Sequence, residues 1–90
     1  MPSLPLPAPL RRATYLRDDW KCRHCGNRSM LDPHHVIHRS AGGEHALNNL
    51  LILCRKCHED EHAGRLVIVV LEVLATDLVV EFKHTKGWKP

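Results

Sequence analysis

Two C-x-x-C pairs, a helical repeat near the start and two β-branched runs near the end predict a small α+β fold held by a metal staple. The chain has 90 residues, enough for one domain at most. A domain of this size buries only about 60% of the surface its unfolded form exposes. Small domains therefore usually add disulfides, a metal or a partner. The cysteines fall as Cys22-x-x-Cys25 and Cys54-x-x-Cys57. The opening "MPSLPLPAPL" is broken by prolines and has no leading positive charge, so it does not read as a secretory signal. No stretch reaches the roughly 18 apolar residues of a membrane span. These features point to a reducing cytoplasm and no membrane partner. In that setting paired C-x-x-C motifs read as metal ligands rather than disulfides.

The elements follow in order. Residues 1–9 are rich in proline and read as a flexible leader. Leu10 to Trp20 is expected to be a helix, because Leu10, Ala13, Leu16 and Trp20 recur at helical spacing and Pro9 suits a first turn. "CRHCGN" is a tight turn that curls two thiolates around an ion. "DPHHVIHR" reads as a strand, "SAGGEHALNN" as a loop and "LLIL" as a buried strand. "RKCHEDEHA" is a helix stopped by Gly64. "LVIVVLEV" and "LVVEF" flank "ATD" as a C-terminal β-hairpin, with a helix from Leu71 to Phe82 as the competing expectation. The tail "KHTKGWKP" is basic and expected to fray.

Four cysteines close a tetrahedral all-thiolate zinc site with no open position, so that zinc is structural. The gap from Cys25 to Cys54 exceeds the roughly 15–20 residues of an ordinary zinc ribbon, so something folded is inserted. The histidines belong to a different site. Residues 32–62 hold six of the eight. His58 and His62 are i and i+4 and share one helix face. His34 or His35 on the strand supplies a third ligand, and three protein ligands with an open position describe a catalytic metal site. Adjacent strand residues point to opposite sides, so one of this pair can bind metal while the other takes a proton from water. Asn48 or Asn49 is placed to hold that free imidazole. The alternative is a set of solvated histidines on a polar helix.

The net charge is +3 with histidine neutral, which permits a nucleic-acid partner without demanding one. Arg11, Arg12, Arg17, Lys21, Arg23, Arg28, Arg39, Arg55 and Lys56 cluster in sequence around the Cys/His set. A mixed solvated surface is the plain alternative.

"HHVIHRSAGG", "NNLLILCRKCH" and the flanking C-x-x-C pairs resemble the HNH endonucleases, in the phage and bacterial branch with a four-cysteine zinc site. The likeness covers residues 10–64. It rests on His35, on Asn49 fourteen positions later, on His58 nine after that and on His62 four further on. It implies a ββα-metal (His-Me finger) fold, with a nuclease domain over 10–84 and a basic tail over 85–90. It implies DNA as the partner, company from other phage or nuclease-complex proteins, and a bacterial or phage-infected cytoplasm. His35 matches the general base, and Asn49 the asparagine that orients it and bridges two strands. His34 matches the first metal ligand, His58 the catalytic ligand on the helix, and His62 the further ligand of colicin-type nucleases. Cys22, Cys25, Cys54 and Cys57 match the structural Zn²⁺ site. The catalytic ion is Mg²⁺, Mn²⁺, Ni²⁺ or Zn²⁺. Arg11, Arg12, Lys21, Arg39 and Lys56 are the expected DNA contacts. His38 stands where many relatives have proline, and His24, His45 and His84 match no catalytic position and read as surface residues. The rival reading is a zinc-stabilised nucleic-acid-binding module without activity, which has no need of the histidines in register.

Overall fold

The structure, a computed structural model, describes residues 6–90 and has the expected α+β architecture. Helix α1 (Ala8–Arg17) leads to strands β1 (Leu31–His35) and β2 (Leu50–Cys54), then helix α2 (Arg55–His62), then strands β3 (Leu66–Val73) and β4 (Leu78–His84). β1 pairs antiparallel with β2, and β3 with β4. Among the described residues no helix is long and apolar enough to cross a membrane.

Strand β2 is the centre of the molecule. Leu50, Leu51, Ile52 and Leu53 are fully enclosed, as an unbroken apolar run requires. His34 pairs across the sheet with Leu51 and His35 with Leu50, so the histidine pair lies on the edge of the core. Helix α1 closes the other side with Thr14 and Tyr15, and the Tyr15 hydroxyl donates to the Leu31 carbonyl at 2.6 Å.

The helix limits differ from the periodicity. Helix α1 begins at Ala8 with Pro9 in its first turn, so both residues belong to the helix rather than to the leader. Residues 1–5 of that leader lie outside the described residues. The helix stops at Arg17, short of Trp20. The cause is Asp18, whose buried carboxylate accepts the Ile52 backbone N–H at 2.9 Å and pairs with Arg17 and Arg23, each at 2.8 Å. The chain then passes through left-handed Asp19 and Trp20, with φ of 57° and 52°, and Trp20 stacks on Tyr15. A side-chain bond to a distant strand thus outweighs one more turn of helix.

The C-terminal segment is the hairpin, not the competing helix, as its β-branched composition favours. Its tip is tied to α1: Arg17 donates to the Thr76 carbonyl, and Arg23 bridges Asp18 and Asp77. Its open end packs on the cysteines, where Leu66, Ile68, Phe82 and Trp88 surround Cys22, Cys54 and Cys57. The tail expected to fray is anchored there. The Trp88 ring stacks on His84 with centroids 3.6 Å apart, and the Lys56 ammonium lies 5.2 Å from its centre.

Strand β1 ends at His35, before the expected Arg39. Beyond it the Val36 N–H donates to the Asn49 carbonyl, and the chain loops back through two short 3₁₀ turns at Arg39–Ala41 and Leu47–Asn49. Gly43 is where the loop closes on itself: an added Cβ would stand 1.7 Å from the Ile37 carbonyl oxygen. Gly43→Ala is therefore expected to cost about 1–3 kcal/mol or more, as overpacking does. Urea unfolding measures it, and a variant as stable as the parent would contradict the tight closure.

Candidate functional site

Cys22 and Cys25 come from the turn after α1, where the Gly26 N–H donates to the Cys22 carbonyl at 3.0 Å. Gly26 takes a φ of 79°, which glycine adopts without cost. Cys54 ends β2 and Cys57 lies in the first turn of α2. The four sulfurs lie within 4.8 Å of one another, with Cys25 and Cys54 at 3.6 Å. Four thiolates at about 2.3 Å from one ion stand roughly 3.8 Å apart, so the cluster is compatible with a structural zinc. The inserted segment that the long gap required is β1, the glycine loop and β2. His24, expected as a surface residue, instead brings Nδ1 within 3.2 Å of the Cys57 sulfur and Nε2 within 2.7 Å of His84 Nε2.

The second cluster lies where β1 meets α2. His34, His58 and His62 each offer a ring nitrogen, and the three fall within 4.8 Å of one another. The Nε2 atoms of His58 and His62 are 2.9 Å apart. Two nitrogens sharing a cation at about 2.0–2.1 Å stand roughly 3 Å apart, so this spacing fits a common ion. His34 is 2% exposed, and among the described residues its buried Nε2 has no hydrogen-bond partner. Burial, followed by the neighbouring histidines, lowers the His34 pKa to about 3, so the ring stays neutral and keeps a lone pair to give. His58 is also lowered, first by burial and then by His62.

His35 borders the same pocket but pairs with a different histidine. Its Nε2 lies 2.9 Å from Nδ1 of His45, so His45 is also more than a surface residue. Burial, then His45, lowers the His35 pKa, which favours the neutral base. His34, His35, His38, Arg39, His58 and His62 line one pocket of about 160 Å³. Asn49 is buried but holds backbone rather than an imidazole. Its Oδ1 accepts the Ile37 N–H at 2.8 Å, and its Nδ2 donates to the carbonyls of Ile37 and Glu44. Asn48 donates instead to the Leu74 carbonyl.

The HNH endonuclease family model matches residues 22–64, from the first cysteine to the glycine that ends α2. A protein named Anaredoxin, from Nostoc sp. (strain PCC 7120), is 35% identical over 52 residues, covering 57% of this chain and 68% of that protein. The chain belongs to the HNH endonuclease family. No solved structure matches it significantly.

Within this HNH chain the basic residues divide. Arg39 lines the histidine pocket. Arg11 and Arg12 are exposed near Tyr15 and Trp20, with Arg11 3.4 Å from Asp32. Lys21 is exposed. Lys56 is half-exposed on the cysteine side, with its ammonium 2.6 Å from Asp60. Arg17 and Arg23 serve the fold. The sequence reading also missed His38 and Glu61, which join His34 in an overlapping group of ligand atoms. His58, Glu61 and His62 share a helix face, and that spacing was the available signal.

Proposed function

We propose that this HNH chain is a metal-dependent DNA endonuclease that hydrolyses phosphodiester bonds. The observation that carries the reading is the convergence of ring nitrogens of His34, His58 and His62 beside a buried His34 Nε2 that no hydrogen bond among the described residues satisfies. An all-imidazole set suits Ni²⁺ or Zn²⁺ better than Mg²⁺, which prefers oxygen. A divalent cation bound there supplies positive charge to the phosphate and to the departing 3′ oxygen.

The residues then have separate tasks. His35 is the general base. With Nε2–H donating to His45, its Nδ1 is left to accept the proton of the attacking water. Asn49 holds the loop after β1 and so fixes where His35 points. Arg39 binds a phosphate beside the pocket. Arg11, Arg12 and Lys21 add exposed backbone contacts, and Lys56 does so by leaving Asp60. Such contacts give affinity that falls with salt and little sequence preference. Cys22, Cys25, Cys54 and Cys57 hold a structural zinc that ties α2 to β2. One such site cuts one strand.

Supercoiled plasmid tests the reading. The zinc-loaded protein is expected to convert it to nicked circles when Mn²⁺, Ni²⁺ or Mg²⁺ is added, and to leave it intact without added metal. A folded protein that binds DNA but cuts with none of these ions would instead be a zinc-stabilised binding module.

A further inference from the structure

The helix face that carries His58 and His62 also carries Glu61. Its side chain is only 15% exposed, and carboxylates are seldom so enclosed without a partner. Among the described residues its hydrogen-bond and ion-pair partners are imidazoles. His38 Nε2 lies 3.1 Å from each carboxylate oxygen and is hydrogen-bonded to both. His34 Nε2 lies 3.3 Å from Oε2, yet its direction makes no hydrogen bond. An enclosed imidazole nitrogen therefore stands beside an anionic oxygen, with neither satisfying the other. His34, His38 and Glu61 offer ligand atoms within 4.8 Å of one another, and His34 is common to this group and to the histidine triad.

We propose that Glu61 is a fourth protein ligand of the cation held by His34, His58 and His62, and that His38 holds its carboxylate in place. The proposal rests on reading that triad as a metal site. An added carboxylate brings a negative charge and a hard oxygen donor, so it shifts a soft imidazole set toward Mn²⁺. While the His38 N–H spans both carboxylate oxygens it fixes the rotation of the group, which is how neighbours of metal ligands commonly act. The His38 ring also stacks on His62, with centroids 4.8 Å apart and planes 26° apart. One side chain thus braces two ligands.

Isothermal titration calorimetry tests this on the full chain carrying one equivalent of zinc, titrated with Mn²⁺ and with Ni²⁺. Wild type, Glu61→Gln, His38→Ala and His58→Ala are compared, with circular dichroism to show that each is folded. Glu61→Gln is expected to lose at least about tenfold in Mn²⁺ affinity and less in Ni²⁺ affinity, and His38→Ala to shift the same way. Should Glu61→Gln fail to fold, Glu61→Asp, which keeps the charge but withdraws the carboxylate, carries the same expectation. If Glu61→Gln binds both ions like wild type while His58→Ala binds neither, Glu61 is no ligand and the triad stands. If wild type binds neither ion, the triad reading and the proposal fall together.

Discussion

His35→Ala in the zinc-loaded protein is expected to slow nicking of supercoiled DNA at least about a hundredfold, the lower end of what a general base contributes. A hundredfold corresponds to about 2.7 kcal/mol of barrier. The fold should survive the change, because the His35 ring is half-buried and pairs with His45 rather than with the core. His34→Ala is the poorer test. It removes a metal ligand and empties an enclosed position, so lost activity would have two causes. The measurement is the initial nicking rate at saturating metal, beside thermal unfolding of both proteins. A folded His35→Ala protein that nicks at the parental rate would remove His35 from the role.

The largest effect on the fold is expected from the cysteines. Cys22, Cys54 and Cys57 are buried together with Leu53 and Leu66, so three of the four clustered cysteines are themselves part of the apolar core. Structural zinc contributes about 10–16 kcal/mol in small metal-folded peptides, while a whole domain is stable by only about 5–15 kcal/mol. Cys57→Ser, which leaves a poor ligand at the start of α2, should therefore abolish cooperative unfolding. It should also release His58 and His62 from their place beside β1, so cleavage is lost as well. Chelation should do the same to wild type, and added zinc should reverse it. His58→Ala, whose cysteines are intact, should keep its transition when zinc-loaded. A Cys57→Ser protein that melts like the parent would show that the cysteines hold no staple.

Much of this was legible in local spacing, because the chemistry sits on short regular elements. His58 and His62 share a helix face, and strand alternation separates His34 from His35. Two equal C-x-x-C pairs read as one cluster. What escaped the sequence was set by contacts between distant segments. The end of α1 depends on Asp18 reaching the Ile52 N–H across the core. His45 meets His35 only because the loop folds back on Asn49. His38 lies past the end of β1, so no strand register could place it near Glu61. Asn49, expected to help orient the base and to bridge the two strands, bonds the backbone of Ile37 and Glu44, since a buried turn leaves N–H and C=O groups that must be bonded. Lys56 follows β2 closely, yet Asp60, one helical turn away, draws it to the cysteine side.

The central claim is that one cation, held by His34, His58 and His62, drives phosphodiester cleavage. The most direct test titrates Mn²⁺ and Ni²⁺ into zinc-loaded wild type and His58→Ala while following plasmid nicking. The wild-type rate is expected to rise from background and saturate with metal, and a folded His58→Ala protein to stay near background. Equal nicking by the two proteins, or none by a folded wild type that binds DNA, would contradict it.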